Sequence, residues 1–346
     1  MNKLTCTTLA IFLTGSAAFA SDGEWNTLDH EINALTATLG SADGGPTVFG
    51  RVRTYYTSQV DGGGVGADSG GWSLANMRLG AKGNTGGYGY KLQTELSSGS
   101  AVLLDAYATF GIGDTMVGTF GQFKAGVARA SRISSGRTLF RRRSMVGSAF
   151  STRTGGLMLG GEMSQMGWEL SVMNGRDGLA DELLMASRLT ADIMGSGPSN
   201  VEGAYGGTED PHLSCAIAFA GEADLFSDDA MIVELNSGTN LWSFDVAMCT
   251  AGALGTDSSL GTPIAPDASP MSIQGSYMLQ PGKWELAVRF QDFDNATLIT
   301  DSTTRMDVAI NNYIDGHALK WMVNAQTDTE GVNDNSEITV GLQVSF

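Results

Sequence analysis

The chain contains few residues of the kinds that cross-link or interrupt a fold. Its 346 residues include only 3 Cys, 7 Pro and 3 His, against 47 Gly. Cys6 lies in an apolar N-terminal stretch, so Cys215 and Cys249 are the cysteines beyond it, which excludes a disulfide-rich scaffold. No later segment approaches about eighteen consecutive apolar residues, and this excludes helical membrane spans.

Acidic residues are missing from one long segment. Thr115–Gly161 contains no Asp or Glu, although the chain has 37 of them against 20 Lys and Arg and a formal net charge of −17. Within this segment and just after Lys124 the basic residues accumulate, including three consecutive arginines at Arg141, Arg142 and Arg143. Such a concentration of one sign predicts a local field suited to an anion.

The first twenty residues have the features of an export signal. Lys3 gives a positive start, Leu4–Leu13 is mostly apolar, and residues 18–20 read Ala-Phe-Ala, which is typical of a cleavage site. The apolar run is too short to span a bilayer. We therefore expect residues 1–20 to be a signal peptide that is removed after export through the Sec pathway.

Residues 21–45 carry a helical pattern. Apolar residues recur there at spacings of three and four, at Trp25, Leu28, Ile32, Leu35 and Leu39. This heptad-like stripe predicts a short periplasmic helix. An isolated helix of this length is marginal in water. Two interpretations are open: a coiled coil of three copies beneath a trimer, and an amphipathic helix or plug without such partners.

Residues 46–346 alternate in hydrophobicity with period two. The clearest case is the C-terminus, where one face carries Ile338, Val340, Leu342, Val344 and Phe346. Strands of about ten residues with one apolar face are typical of transmembrane barrels. A lysine or arginine on the lipid face near the bilayer centre costs roughly 2–4 kcal/mol, so we expect Lys91, Arg289 and Lys320 to face the lumen.

Counting such segments predicts an all-β fold, a transmembrane antiparallel barrel of about sixteen strands. Connections alternate in length: short ones such as Gly113–Asp114 and Asp315–Gly316 are expected of periplasmic turns, and long ones of external loops. The Met194–Pro211 connection breaks this rule, because it should be short and is long, so the strand count is open there. The parity of the strands places Cys215 and Cys249 on opposite faces, which argues against a disulfide.

The acid-free segment supplies a long connection, about residues 125–151, between the fifth and sixth predicted strands. It is either a surface loop that binds lipopolysaccharide or a loop that folds into the barrel and narrows it. The other long loops are acidic, and this contrast favours the second location. The predicted constriction residues of the loop are Arg129, Arg132, Arg137, Arg141, Arg142 and Arg143. Lys124, Arg51 and Arg53 are the predicted partners on the wall.

The sequence contains no pattern that predicts catalysis. The histidines, His30, His212 and His317, are far apart and belong to no Ser/His/Asp arrangement or Cys/His metal spacing. Asp-rich spots in the acidic loops are weak candidates for calcium. We therefore expect no enzyme activity, no cofactor, no metal site and no nucleic-acid partner.

Several motifs resemble those of the phosphate-selective porin O and P family of sixteen-stranded outer-membrane porins. The resemblance covers most of Val48–Phe346 and is carried by Met77–Gly83 followed by Tyr88–Leu96, Asp105–Tyr107, Gly121–Lys124, Trp168–Gly175 and His317–Asn324. It implies a trimer with a constriction loop whose arginines and lysines pass phosphate or other anions. The chain departs from the family pattern at two places. Residues 125–127 are Ala-Gly-Val where the family usually has a proline, and Phe140–Ser144 replaces a segment that usually contains a glutamate.

These observations predict an outer-membrane porin that gives passive, anion-selective diffusion through an arginine-lined constriction. Guanidinium groups bind phosphate and carboxylate with two parallel hydrogen bonds, so small anionic solutes are the expected cargo. The expected partners are outer-membrane lipid, lipopolysaccharide and two further copies of the chain. Two alternatives stay open: a nonspecific, weakly selective porin, and a structural or adhesive outer-membrane barrel.

Overall fold

The computed structural model describes residues 45–61, 69–175, 183–222, 230–251, 269–293, 303–330 and 333–346. The predicted signal peptide and the predicted helix of residues 21–45 lie outside the described residues, apart from residue 45. No α-helix in the described part is long and apolar enough to cross a membrane.

The described residues form a closed barrel of sixteen antiparallel strands, in which each strand pairs with its neighbours in sequence. The strands are β1 (Thr47–Asp61), β2 (Ser69–Thr85), β3 (Tyr88–Glu95), β4 (Val102–Ile112), β5 (Met116–Lys124), β6 (Arg153–Met163), β7 (Met166–Asn174), β8 (Leu183–Met194), β9 (His212–Glu222), β10 (Ala230–Gly238), β11 (Trp242–Ala251), β12 (Met271–Gln280), β13 (Trp284–Phe293), β14 (Thr303–Asp315), β15 (Leu319–Glu330) and β16 (Asn333–Ser345). The predicted number of strands is confirmed.

Pairing of β1 with β16 closes the barrel. Their register runs from Arg51 opposite Ser345 to Asp61 opposite Asn335. Next to the first of these pairs, the main chains of Gly50 and Phe346 exchange two hydrogen bonds of 2.9 and 3.1 Å. Since a closed sheet leaves no unpaired strand edge, every strand can expose one face to lipid and the other to the lumen.

Alternation along each strand separates an apolar outer face from a polar inner face. In β15, Trp321 and Val323 are exposed while Lys320, Met322 and Asn324 are buried. The predicted inward orientation of Lys320 and Arg289 agrees with their complete burial, and that of Lys91 with its ion pair to Asp105 inside the barrel. Cys249 is buried, Cys215 is partly exposed, and both thiols are free, in agreement with their predicted opposite faces.

Connections at the two rims differ, and we refer to the rims by this difference. The short rim carries the chain ends of the barrel and turns such as residues 86–87, 164–165 and 281–283. The long rim carries, among the described connections, residues 96–101 and residues 125–152, here called loop 3. Residues 195–211 also belong to the short rim, although this connection is as long as a loop. It joins β8 directly to β9, so the number of strands stays at the predicted sixteen.

Loop 3 contains three short helical turns. These are α1 (Arg129–Arg132), a 3-10 turn (Ser135–Arg137) and α2 (Met145–Ala149). Ser134 accepts a hydrogen bond from the main-chain N–H of Gly136, and Ser144 accepts one from Gly147. These serines act as N-caps and start the two later turns at the places where the sequence offers a hydroxyl.

Candidate channel interior

Loop 3 lies inside the barrel, because its apolar residues pack on inward-facing residues of the wall. Val127, Ala128, Val146, Ala149 and Phe150 are each at most 2% exposed. They belong to one buried cluster with small inward residues of β8–β11, such as Ala186, Ala218, Ala230 and Cys249. The sequence supplies small side chains on this part of the wall, and this leaves space for the loop.

The tip of loop 3 is bound to the opposite part of the wall through its own carbonyl groups. Lys320 Nζ donates to Thr138 O at 2.8 Å, Asn311 Nδ2 to Leu139 O at 3.0 Å and Gln343 Nε2 to Gly136 O at 2.9 Å. Arg53 Nη1 donates to Ser135 O at 2.6 Å. Buried main-chain carbonyls require such partners, so strands β1 and β14–β16 fix the path of the tip.

Arg129 and Arg143, two of the predicted constriction residues, bind mainly to the fold itself. Arg129 donates to Asp245 at 3.2 Å and, through Nη2, to the carbonyl of Val201 at 2.7 Å. Arg143 donates to the carbonyls of Ala130 and Ile133 in its own loop. Both side chains therefore stabilise loop 3, a role that the composition of the run does not reveal.

Burial and neighbouring cations lower the pKa of Arg143 to about 10, even though Glu202 nearby opposes the shift. The neighbouring cations are Arg153, Arg78 and Arg53. Arg143 therefore lies in a region with an excess of positive charge and still carries its proton at neutral pH.

Arg132, Arg137 and Arg142 are the exposed arginines of loop 3. Arg132 forms an ion pair with Glu169 at 2.6 Å and keeps 41% of its side chain exposed. Arg142 lies 3.3 Å from Glu337 with 45% of its side chain exposed, and it shares this carboxylate with Arg141. Arg137 donates to the carbonyl of Asn200 at 3.5 Å.

The predicted wall partners Arg51, Arg53 and Lys124 all contact loop 3. Arg51 donates to the hydroxyls of Ser134 and Ser135 at 3.1 and 2.7 Å. Lys124 Nζ donates to Ser131 O at 2.5 Å. The structure thus brings the nine predicted residues together around one loop, while their part in solute passage stays a prediction.

Charged residues of the interior that were not predicted as site residues include Arg153, Arg289 and Lys320. Arg153 pairs with Asp105 at 2.5 Å, and Arg289 pairs with Asp307 at 2.9 Å with its guanidinium over the ring of Phe140. Lys320 is fully buried under the loop tip. Strand alternation in the sequence indicates that Arg289 and Lys320 face the lumen. It does not tell which of the inward-facing residues contact loop 3.

Loop 3 leaves one side of the wall without direct polar contacts. Among the described residues, its hydrogen bonds to the wall reach β1, β5, β7, β8, β10, β11 and β13–β16 and not β2–β4. Strands β1–β6 carry seven cations and three carboxylates among the residues whose side chains are described: Arg51, Arg53, Arg78, Lys82, Lys91, Lys124 and Arg153 against Glu95, Asp105 and Glu162.

An open cavity of about 920 Å³ lies between loop 3 and the wall from β5 to β10. Arg129 and Arg132 line it from the loop, and Ser196–Pro198 line it from the short rim. Arg188 and Glu234, which form an ion pair at 2.5 Å, belong to its wall. Described side chains form no cluster of three or more His, Cys, Asp or Glu that could hold a metal ion.

Comparisons with known proteins identify the fold and no closer relationship. No protein-family model and no curated protein sequence matches the chain. Among solved structures, the outer membrane channel DcaP of Acinetobacter baumannii aligns with a TM-score of 0.58 and 12% identity over 88% of this chain and 97% of its own. An anion-selective porin from Comamonas acidovorans aligns with a TM-score of 0.58 and 11% identity over 88% of this chain and 100% of its own.

A mutant of the Rh. blastica porin gives a TM-score of 0.54 with 14% identity over 87% of this chain and 100% of its own. At such low identities the similarity establishes that the chain has the fold of outer-membrane porins. It does not support the narrower resemblance to the phosphate-selective porin family, which remains a prediction.

Proposed function

We propose that the protein is an outer-membrane porin through which small solutes diffuse passively, with a preference for anions. The observation that carries this proposal is the position of loop 3 within a closed barrel of porin fold. This loop contains six arginines and no acidic residue, and it faces a wall in which cations outnumber carboxylates. The short rim would face the periplasm and the long rim the exterior.

The solute path is proposed to run beside loop 3, along strands β2–β6 and through the cavity that Arg132 lines on the side of β5–β10. Lys91 keeps 30% of its side chain exposed there and pairs with Asp105, which also binds Arg153. One carboxylate for two cations leaves a net positive charge at this point. A passing anion about 4 Å from one such positive charge is attracted by roughly 4 kcal/mol at an effective dielectric near 20. This energy is larger than the contribution of charges on distant loops, which salt screens.

Phosphate and carboxylates are the proposed cargo because arginine forks suit their geometry. The exposed Arg132, Arg137 and Arg142 are the loop residues best placed to meet them. Proposed partners are outer-membrane lipid around the apolar outer face, lipopolysaccharide at the long rim, and two further copies in a homotrimer.

The test is the reversal potential of single channels in a planar bilayer under a KCl gradient. We expect the native protein to prefer chloride and Lys91→Gln to reduce this preference. Lys283→Gln is the matched control, because Lys283 is an exposed lysine in a turn of the short rim. Cation preference of the native channel contradicts the proposed selectivity, and absence of any conductance with a folded barrel favours a structural or adhesive role.

A further inference from the structure

The connection between β8 and β9 does not form a surface turn but enters the barrel. We refer to residues 195–211 as the inward segment. Its central residues Val201, Glu202 and Ala204 are 7%, 1% and 0% exposed. On the short rim, where the other described connections are turns of a few residues, this segment is the exception that the sequence already indicated.

The inward segment binds loop 3 through hydrogen bonds in both directions. Glu202 Oε2 accepts from the main-chain N–H of Leu139 at 2.9 Å, and the N–H of Glu202 donates to Arg137 O at 3.0 Å. From the loop, Arg129 donates to the carbonyls of Ser199 and Val201 at 3.1 and 2.7 Å. The tip and the first helix of loop 3 are therefore both held from the short-rim side.

The same segment is fixed to the wall beneath the loop. The N–H of Ala204 donates to Glu285 Oε1 at 2.6 Å, and Tyr205 stacks on Tyr313 with 3.8 Å between ring centroids. Gly203 has φ +93°, and a Cβ there would lie 2.4 Å from Leu139 Cδ2 and 2.7 Å from Glu285 Oε1. A side chain at this position would separate the segment from loop 3 or from the wall.

The lumen beneath loop 3 is thereby divided. The inward segment occupies the side of β12–β14, through its contacts with Ser276, Glu285 and Tyr313, while the cavity of about 920 Å³ remains on the side of β5–β10. Ser196–Pro198 at the start of the segment form part of the cavity lining.

We infer that the inward segment is a second constriction element, which narrows the pore from the periplasmic side and holds loop 3 in place. Glu202 is the positioning residue, since its carboxylate and main chain both bind the loop tip. This inference rests on the proposed porin function and adds to it a determinant of pore size that lies outside loop 3.

Deletion of residues 197–210, which joins Ser196 to Pro211, tests the narrowing. We expect the deletion to raise single-channel conductance by about twofold and to admit larger neutral sugars in liposome swelling, since conductance follows the open cross-section. Unchanged conductance of a folded deletion variant would overturn the inference. Folding is checked by the heat-dependent shift of the barrel on gel electrophoresis.

Point variants test the positioning role without shortening the chain. Glu202→Ala removes the acceptor for Leu139, and we expect frequent transient closures and greater open-channel current noise as loop 3 moves. Glu202→Gln keeps an acceptor oxygen and should restore a quiet channel. Glu209→Ala is the matched control, because Glu209 belongs to the same segment and is exposed. Equal noise in Glu202→Ala and Glu209→Ala would contradict the role of Glu202.

The two proposals fail in different ways. If the native protein conducts no ions, the porin function itself is wrong, and the variants are not needed. If the native channel conducts while the deletion and Glu202→Ala behave like it, the porin function stands and the inward segment is only a structural part of the barrel.

Discussion

At the scale of single residues, the interior is organised by polar groups that serve main-chain atoms rather than solutes. Lys320, Asn311, Gln343 and Arg53 each donate to a carbonyl of loop 3. A buried donor or acceptor without its partner costs about 1–3 kcal/mol. Charge and loop conformation therefore depend partly on the same side chains, and a selectivity experiment should avoid the residues that donate to these main-chain carbonyls.

His317 provides a test of this arrangement through pH. Partial burial, with Lys320 nearby, lowers the pKa of His317 from 6.5 to about 3, although its bond to the carbonyl of Tyr205 opposes the shift. The folded state holds the proton of His317 less tightly than the unfolded state does. The contribution of neutral His317 to the stability of the fold is therefore complete above about pH 6.5 and is lost as the pH falls toward 3. We expect a loss of about 2 kcal/mol between pH 7 and pH 5.

Denaturant unfolding of the barrel in detergent at the two pH values measures this loss. His317→Gln does not titrate, so its free energy of unfolding should change less over the same interval. If the native protein and His317→Gln lose equal stability between pH 7 and pH 5, the histidine is not the group responsible.

At the scale of elements, loop 3 and β16 form one electrostatic unit. Glu337 of β16 binds both Arg141 and Arg142, and it also accepts a hydrogen bond from Thr339 at 3.1 Å. Its carboxylate offsets one of two adjacent positive charges. The field that the loop presents to a solute therefore depends on a strand far away in sequence.

Glu337→Gln should strengthen the anion preference, because it leaves Arg141 and Arg142 without their carboxylate. The Glu337 carboxylate would repel a passing anion by roughly 4 kcal/mol at contact. Its removal should therefore raise the chloride-to-potassium permeability ratio by about twofold or more. Arg142→Gln should shift the ratio in the opposite direction. Reversal potentials measure both, with Asp315→Asn as the control, because Asp315 is exposed at the short-rim end of β14. Equal ratios in all four proteins would place Arg142 away from the path.

The elements were largely predictable from the sequence, and the interior was not. Period-two alternation, as in Ile338–Phe346, is set by each strand alone, so all sixteen strands could be counted. Loop 3 stood out because it lacks acidic residues. The roles of Arg129 and Arg143 depend on carbonyl groups that only the folded loop and the inward segment bring into reach, and no local pattern encodes them.

At the scale of the whole molecule, the outer surface is a band of exposed apolar side chains. On adjacent strands it includes Ile310, Val323 and Val340, which are 39%, 42% and 40% exposed. For a monomeric soluble protein such a continuous band would be unfavourable. In a bilayer it is the surface that contacts lipid, which agrees with the proposed location in the outer membrane.

A depth series of substitutions tests this location. Val323 lies in the middle of the apolar band. We expect Val323→Arg to make folding into lipid vesicles less favourable by about 2–4 kcal/mol. Thr329→Arg lies on the same face of β15 near the long rim and should cost about 0–1 kcal/mol. Equal costs at the two positions would contradict a membrane-embedded band.

The long-range bonds of loop 3 have a consequence for the order of assembly. Arg141 and Glu337 are 196 positions apart, and Gly136 and Gln343 are 207 apart. Both bonds need residues of β16, the strand that closes the barrel against β1. These bonds of loop 3 can therefore form only once β16 is in place, although the two strands that enclose the loop precede β16 by far in sequence.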